Sequence, residues 1–129
     1  MSESFFAPQL YLRRGTTNID FYKNAFGAEE LRRWSNDDGS IHVAELIING
    51  NLFHLHEEGW GSNFFSPAKY NGTTVNIGLF VDDVDKVMQN AISAGAKEIN
   101  PAKDYEYGYR QGEIQDPFGH IWTIQKKIS

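Results

Sequence analysis

Cysteine is absent from this 129-residue chain, which removes disulfides, thiol nucleophiles and thiolate-bound metals together. Proline is scarce, at four residues, so no Pro-rich linker divides the chain into separate domains. Long basic runs are missing too. Lys and Arg come at most in pairs, such as Arg13 with Arg14 and Arg32 with Arg33, and the formal net charge is −5. Nucleic acid needs a concentrated cationic surface, so that class of partner is set aside. No stretch approaches the ~20 apolar residues of a membrane span. The start, "MSESFFAPQL", has neither the charged lead nor the apolar core of a secretory signal. A cytoplasmic protein with no membrane partner is expected. No Gly-rich phosphate loop and no nucleophile elbow occurs, which excludes dinucleotide, nucleoside-triphosphate and serine-hydrolase readings.

What remains is a folding sequence. Hydrophobic residues make up 40% and aromatics 14%, enough for one core and one domain over residues 1–129. "PQLYLR" alternates as a strand does. "TTNIDFYKNAFG" follows as a helix, with Thr17 or Asn18 as cap, Ile19, Tyr22 and Phe26 on one face, and Gly27 at its end. "AEELRRWS" and "IHVAELIIN" flank the turn Asp37-Asp38-Gly39-Ser40, and a second turn at Asn49-Gly50-Asn51 leads into "LFHLHE".

That order then recurs. "TTVNIGLFV" reads as a strand and "DDVDKVMQNAISAG" as an Asp-capped helix. "AKEIN", "YRQGEIQ" and "HIWTIQKK" supply three more strands, with Pro117-Phe118-Gly119 turning the last pair. Helix-ending Gly27 and Gly95 lie 68 residues apart, turn glycines Gly50 and Gly119 lie 69 apart, and the first strands match at 67 when Gln9 is set against Asn76. Three landmarks in step mark a duplicated module. The first module spans about 8–57, the second about 73–127, and a loop at 58–72 with Trp60, Phe64, Phe65 and Tyr70 joins them. Four aromatics in one loop predict that it packs on a surface.

Two βαβββ modules, "FYKNAFGAEELRRW", "VDDVDKVMQNAISAGAKE" and the terminal "DPFGHIWTI" resemble the vicinal-oxygen-chelate superfamily, which holds glyoxalase I, bleomycin-resistance proteins and extradiol dioxygenases. "SIHVAELIINGNLFHLHEE" is closest in character to its PhnB-like branch. The resemblance implies an α+β fold in which two βαβββ modules form a glyoxalase/bleomycin-resistance-type half-barrel cup. It also implies a homodimer, and a metal, where one is present, held by inward residues of the outer strands. With Leu10, Leu12, Trp122 and Ile124 assigned to the core by alternation, the cup-facing residues are Gln9, Tyr11, His54, His56, Asn76, Phe80, Thr123 and Gln125.

The residues at the metal positions are then Gln9, His54, Asn76 and Thr123. Family enzymes place a second His and carboxylates there. One imidazole, two amides and a hydroxyl offer no anionic donor, so no resident metal is expected, with Gln9 and His54 the weak candidates. Glu58 shares the parity of His54 and His56 and is the one acidic residue positioned to help. His120 near Asp116 suggests a general base, against the plainer expectation of a turn residue bonded to local backbone. "KDYEYGYRQ" reads as a strand whose Tyr105, Tyr107 and Tyr109 could wall a ligand site. Three functions stay open: metal-free binding of a small organic molecule, a metal-dependent lyase, isomerase or dioxygenase, and a protein-interaction module using the aromatic loop.

Overall fold

The computed structural model describes residues 3–59, 61 and 63–129. Trp60 lies outside them. The elements run β1 (Gln9–Leu12), α1 (Asp20–Phe26), β2 (Glu29–Ser35), β3 (Ile41–Ile48), β4 (Asn51–Glu57), α2 (Pro67–Tyr70), β5 (Asn76–Phe80), α3 (Val84–Ser93), β6 (Lys97–Tyr105), β7 (Tyr109–Gln115) and β8 (Ile121–Lys127). They form two four-stranded sheets of identical order, β1-β4-β3-β2 and β5-β8-β7-β6. In each, the first strand pairs parallel with the fourth and the remaining pairs are antiparallel. The duplication is therefore structural, and neither sheet closes into a barrel.

Local chemistry explains the helices. The Asn18 side chain accepts from the Asp20 N–H at 2.9 Å at the start of α1. Gly27 closes that helix in the left-handed region, at φ 70°, where a side chain would be strained. Asp83 caps α3 by accepting from the Lys86 N–H at 3.1 Å. Helix α3 buries Val84, Met88 and Ala91, one stripe at helical spacing. Met88 lies against Gly112 of β7, where an added Cβ would stand 2.7 Å from its Cε.

Helices and inner sheet faces share one core that includes Leu10, Leu12, Leu55, Ile114, Trp122 and Ile124. Tyr22 of α1 crosses from one module to the other. Its ring lies 5.4 Å from Phe53, 5.8 Å from Phe118 and 5.9 Å from Trp122. Its hydroxyl donates to Asp116 Oδ2 at 2.6 Å, and burial, then the Asp116 charge beside it, raises the phenol's pKa well above its ordinary value. Asp116 is 3% exposed and also accepts from Trp122 Nε1, Phe118 N and His120 N at 2.9–3.0 Å. The turn in "QDPFGHIW" is thus a joint between modules.

Three expectations change. The His120 ring bonds neither local backbone nor Asp116. Its Nε2 donates instead to the Tyr11 carbonyl of β1 at 2.8 Å. "KDYEYGYRQ" is a hairpin rather than one strand: Tyr105 ends β6, Gly108 turns at φ 93°, and Tyr109 opens β7. "AKEIN" extends into the nine-residue β6, whose register breaks around Asn100 hid its length.

Candidate functional site: two concave faces

Alternation on the four-residue β1 sends Leu10 and Leu12 to the core and leaves Gln9 and Tyr11 on the opposite face. On β4, Phe53 and Leu55 go inward to the core, leaving His54 and His56 with them. Strand register then builds two rows across the first module. One runs Gln9, His54, Glu45, Arg32, and the next runs Tyr11, His56, Val43, Trp34. Cross-strand partners share a face, so these eight side chains neighbour one another.

Within the first row, Glu45 lies between two cationic or cationizable groups. Its carboxylate is 3.7 Å from His54 Nε2 and 3.7 Å from Arg32 Nε. His54 Nε2 is buried and has no hydrogen-bond partner. In the second row, Tyr11 stacks on His56 at 5.1 Å and 22° and on Phe64 of the connecting loop at 5.2 Å and 16°. Of the loop's described aromatics, Phe64 packs on this face, while Phe65 meets Tyr70 within the loop. His56 Nε2 meets Gln9 Oε1 at 2.5 Å, the imidazole N–H donating to the amide oxygen. Burial first, then the neighbouring His54 and His42, lowers the His56 pKa below the ordinary histidine value.

The second module repeats the rows with other chemistry. Asn100, Glu113, Thr123 and Gly78 form one, Lys103, Gln111, Gln125 and Phe80 the next, and Tyr105, Tyr109 and Lys127 a third. Thr123 Oγ1 donates to Glu113 Oε2 at 3.2 Å, and Asn100 Nδ2 donates to Oε1 at 2.6 Å. Gly78 opens room for a neighbour, since a Cβ there would stand 2.6 Å from Gln125 Nε2. Phe80 is 62% exposed and edges the Tyr109 ring at 6.2 Å.

The register corrects the residues assigned to the metal positions. Gln9 pairs with His54, and Gly78, not Asn76, pairs with Thr123; Asn76 pairs with Ile121. An anionic donor is also present after all. Glu45 stands beside His54 and Glu113 beside Thr123, 68 residues apart and equivalent in the repeat. The duplication spacing, applied to the third strand of each module as well as to the outer ones, is the signal that finds both. Glu58 is not free to help: its carboxylate accepts from the Ser66 N–H at 2.9 Å and the Arg14 N–H at 3.3 Å. His42 lies against Glu57, at 3.2 Å.

Among the described residues, no three His, Asp or Glu side chains converge as a metal site requires. On the first face Gln9 is committed to His56 and Glu45 is shared with Arg32. Among the described residues, no hydrogen bond, ion pair or ring contact links Gln9, Tyr11, His54 or His56 to Asn76, Phe80, Thr123 or Gln125. Of those eight, Phe80 alone lines any of four surface cavities of about 290–470 Å³. No helix of the described residues is long and apolar enough to cross a membrane.

Comparison with known proteins agrees with this architecture. The family model of the Glyoxalase/Bleomycin resistance protein/Dioxygenase superfamily matches residues 9–124. An uncharacterized protein of Mycobacterium bovis is 36% identical, over 98% of this chain and 85% of its own length. The crystal structure of an Arabidopsis thaliana gene product superposes with a TM-score of 0.71 at 27% identity, covering 95% of this chain and 98% of that one. The fosfomycin resistance protein FosX of Listeria monocytogenes shares the fold, with a TM-score of 0.69 at 17% identity over 98% of this chain and 94% of its own.

Proposed function

This chain belongs to the glyoxalase/bleomycin resistance protein/dioxygenase superfamily, and from that premise we propose that it binds a small organic molecule on its concave faces without a resident metal. The observation that carries this reading is the buried Nε2 of His54, which makes no hydrogen bond and has the Glu45 carboxylate at 3.7 Å. A buried polar nitrogen without a bond is costly, and a ligand acceptor or donor at that point removes the cost. Around it, Gln9 and His56 hold one another in fixed orientation, while Tyr11 and Phe64 offer stacked ring faces. Such a mixture of apolar walls and few directed polar groups suits recognition of an organic ligand.

Each face is one half of an enclosure, and we place the second half on another copy of the chain. Exposed Leu31, Trp34 and Ile99 on the sheets support a homodimer that covers them. A cytoplasmic member of the PhnB-like branch is the corresponding assignment within the family. A single experiment tests the metal-free reading. Elemental analysis of protein purified without chelator should give metal far below one ion per chain, for the wild type and His54→Ala alike. About one transition-metal ion per chain, lost in His54→Ala, overturns it in favour of a metal-dependent lyase, isomerase or dioxygenase.

A further inference from the structure

The hairpin joining β6 to β7 assembles a row of rings that the first module lacks. Tyr105 stacks on Tyr107 at 5.3 Å and 25°, Tyr107 meets Tyr109 at 5.8 Å, and Tyr109 meets Phe80 at 6.2 Å. Tyr107 and Phe80 are each 62% exposed, so much of this surface is open to a planar partner. Two lysines flank the rings, while Glu106 lies in the hairpin between Tyr105 and Tyr107. Lys103 Nζ sits 4.8 Å from the centre of the Tyr105 ring, and Lys127 stands beside Tyr109 in the cross-strand register. Neither ammonium has a carboxylate within ion-pairing distance among the described residues. The cross-strand amides of Gln111 and Gln125 lie in the adjacent row. Glu113 is one row further, both of its oxygens engaged by Asn100 and Thr123.

We propose that this face binds a planar aromatic anion, in its simplest form an aromatic carboxylate, packed along the row of Tyr105, Tyr107, Tyr109 and Phe80 rings between the ammonium groups of Lys103 and Lys127. The rings supply apolar area and offset stacking. The lysines supply the charge, and Gln111 and Gln125 supply hydrogen bonds that orient the carboxylate. The chain's net charge of −5 points to the opposite sign of ligand. Local charge decides, because solvent and salt screen groups beyond about 10 Å. The inference rests on reading the concave faces as ligand-facing, and it names the ligand class of the second.

Two tricyclic probes of like shape and opposite charge test it: 9-anthracenecarboxylate and the cationic dye proflavine. Binding is followed by fluorescence titration, and its location by NMR of the tyrosine and histidine rings. The carboxylate should bind at least roughly tenfold more tightly than proflavine and shift the Tyr105, Tyr107 and Tyr109 signals. Exposed Tyr107→Ala should weaken it about tenfold, and the Lys103→Gln, Lys127→Gln double variant about five- to tenfold with loss of the charge preference. Equal or tighter binding of proflavine overturns the proposal, as does no binding of the carboxylate at about 1 mM. Shifts confined to Tyr11, His54 and His56 overturn it too, while leaving a ligand site on the first face. Metal at one ion per chain, alongside tyrosine-centred binding, would instead sink the metal-free reading and leave this inference intact.

Discussion

The two modules hold an equivalent glutamate in two different ways. On the first face, Glu45 is shared by Arg32 and His54, at 3.7 Å each. On the second, Glu113 accepts from the neutral Asn100 and Thr123. The strand order, register and third-strand carboxylate are common, and everything around the carboxylate has diverged. Duplication thus fixes where a side chain stands and leaves open what it does. The first face gathered histidines, an arginine and a stacked Tyr11. The second became a tyrosine surface edged by lysines. A shared back supports both faces, and it is there that substitutions should cost most.

The largest effect is expected where the modules are joined. Asp116→Ala removes four hydrogen bonds and leaves the buried Tyr22 hydroxyl and Trp122 N–H unpaired. Urea unfolding should show a loss of about 3–5 kcal/mol, with both faces disturbed at once. Tyr22→Phe removes one charge-assisted bond and keeps the ring, so about 1.5–3 kcal/mol is expected. If Asp116→Ala costs no more than Tyr22→Phe, the turn is not the joint described here. Next comes Gly112→Ala, which makes the second module resemble the first, where Ala44 holds the equivalent place. The new Cβ meets Met88 and stands 3.0 Å from the Ala102 nitrogen. Overpacking of that kind costs about 1–3 kcal/mol, whereas a residue with its Cβ is already accommodated at Ala44.

Much of this was legible in the sequence, because it lay in periodicity and spacing. Gly27 and Gly95, the two turn glycines and the alternation of β1, β4, β5 and β8 revealed both modules and their core faces. What escaped notice depends on register, which one strand alone does not carry. Aligning Gln9 with Asn76 was a two-residue slip; it kept the face and moved the row. Glu45 and Glu113 stand out only when strand pairing sets them beside His54 and Thr123. The tyrosine row was hidden for another reason: Gly108 turns the chain, so rings that alternate in sequence come together by folding back. The joint at Asp116 is hidden because its partner Tyr22 is 94 positions away.

A smaller effect should separate the faces by pH. His56 is disfavoured as a cation, because of its burial and then of His54 and His42 nearby. An unfolded histidine takes its proton near pH 6.5, above the depressed folded value, so the unfolded chain binds the proton first. The His56 contribution is complete above about pH 6.5 and is lost as pH falls through the folded pKa. Urea midpoints for the wild type should therefore drop between about pH 7 and pH 5 more than those of His56→Gln. Equal slopes would mean that the first face does not titrate in this way.

The smallest stability effect, and the sharpest test of the register, is expected at Gly78. Its counterpart on the first face is Gln9, a residue with a long side chain, yet a Cβ at Gly78 would stand 2.6 Å from Gln125 Nε2. That atom is the far end of a flexible chain, so Gly78→Ala should swing the amide aside and change stability by only about 0.5 kcal/mol. The displaced Gln125 would no longer stand in line with Gln111. If the two amides orient a carboxylate on the tyrosine row, 9-anthracenecarboxylate should bind Gly78→Ala severalfold more weakly while the fold is nearly untouched. Unchanged affinity would restrict recognition on the second face to rings and lysines. A large loss of stability would instead place Gln125 in the scaffold and make the second face less open than the first.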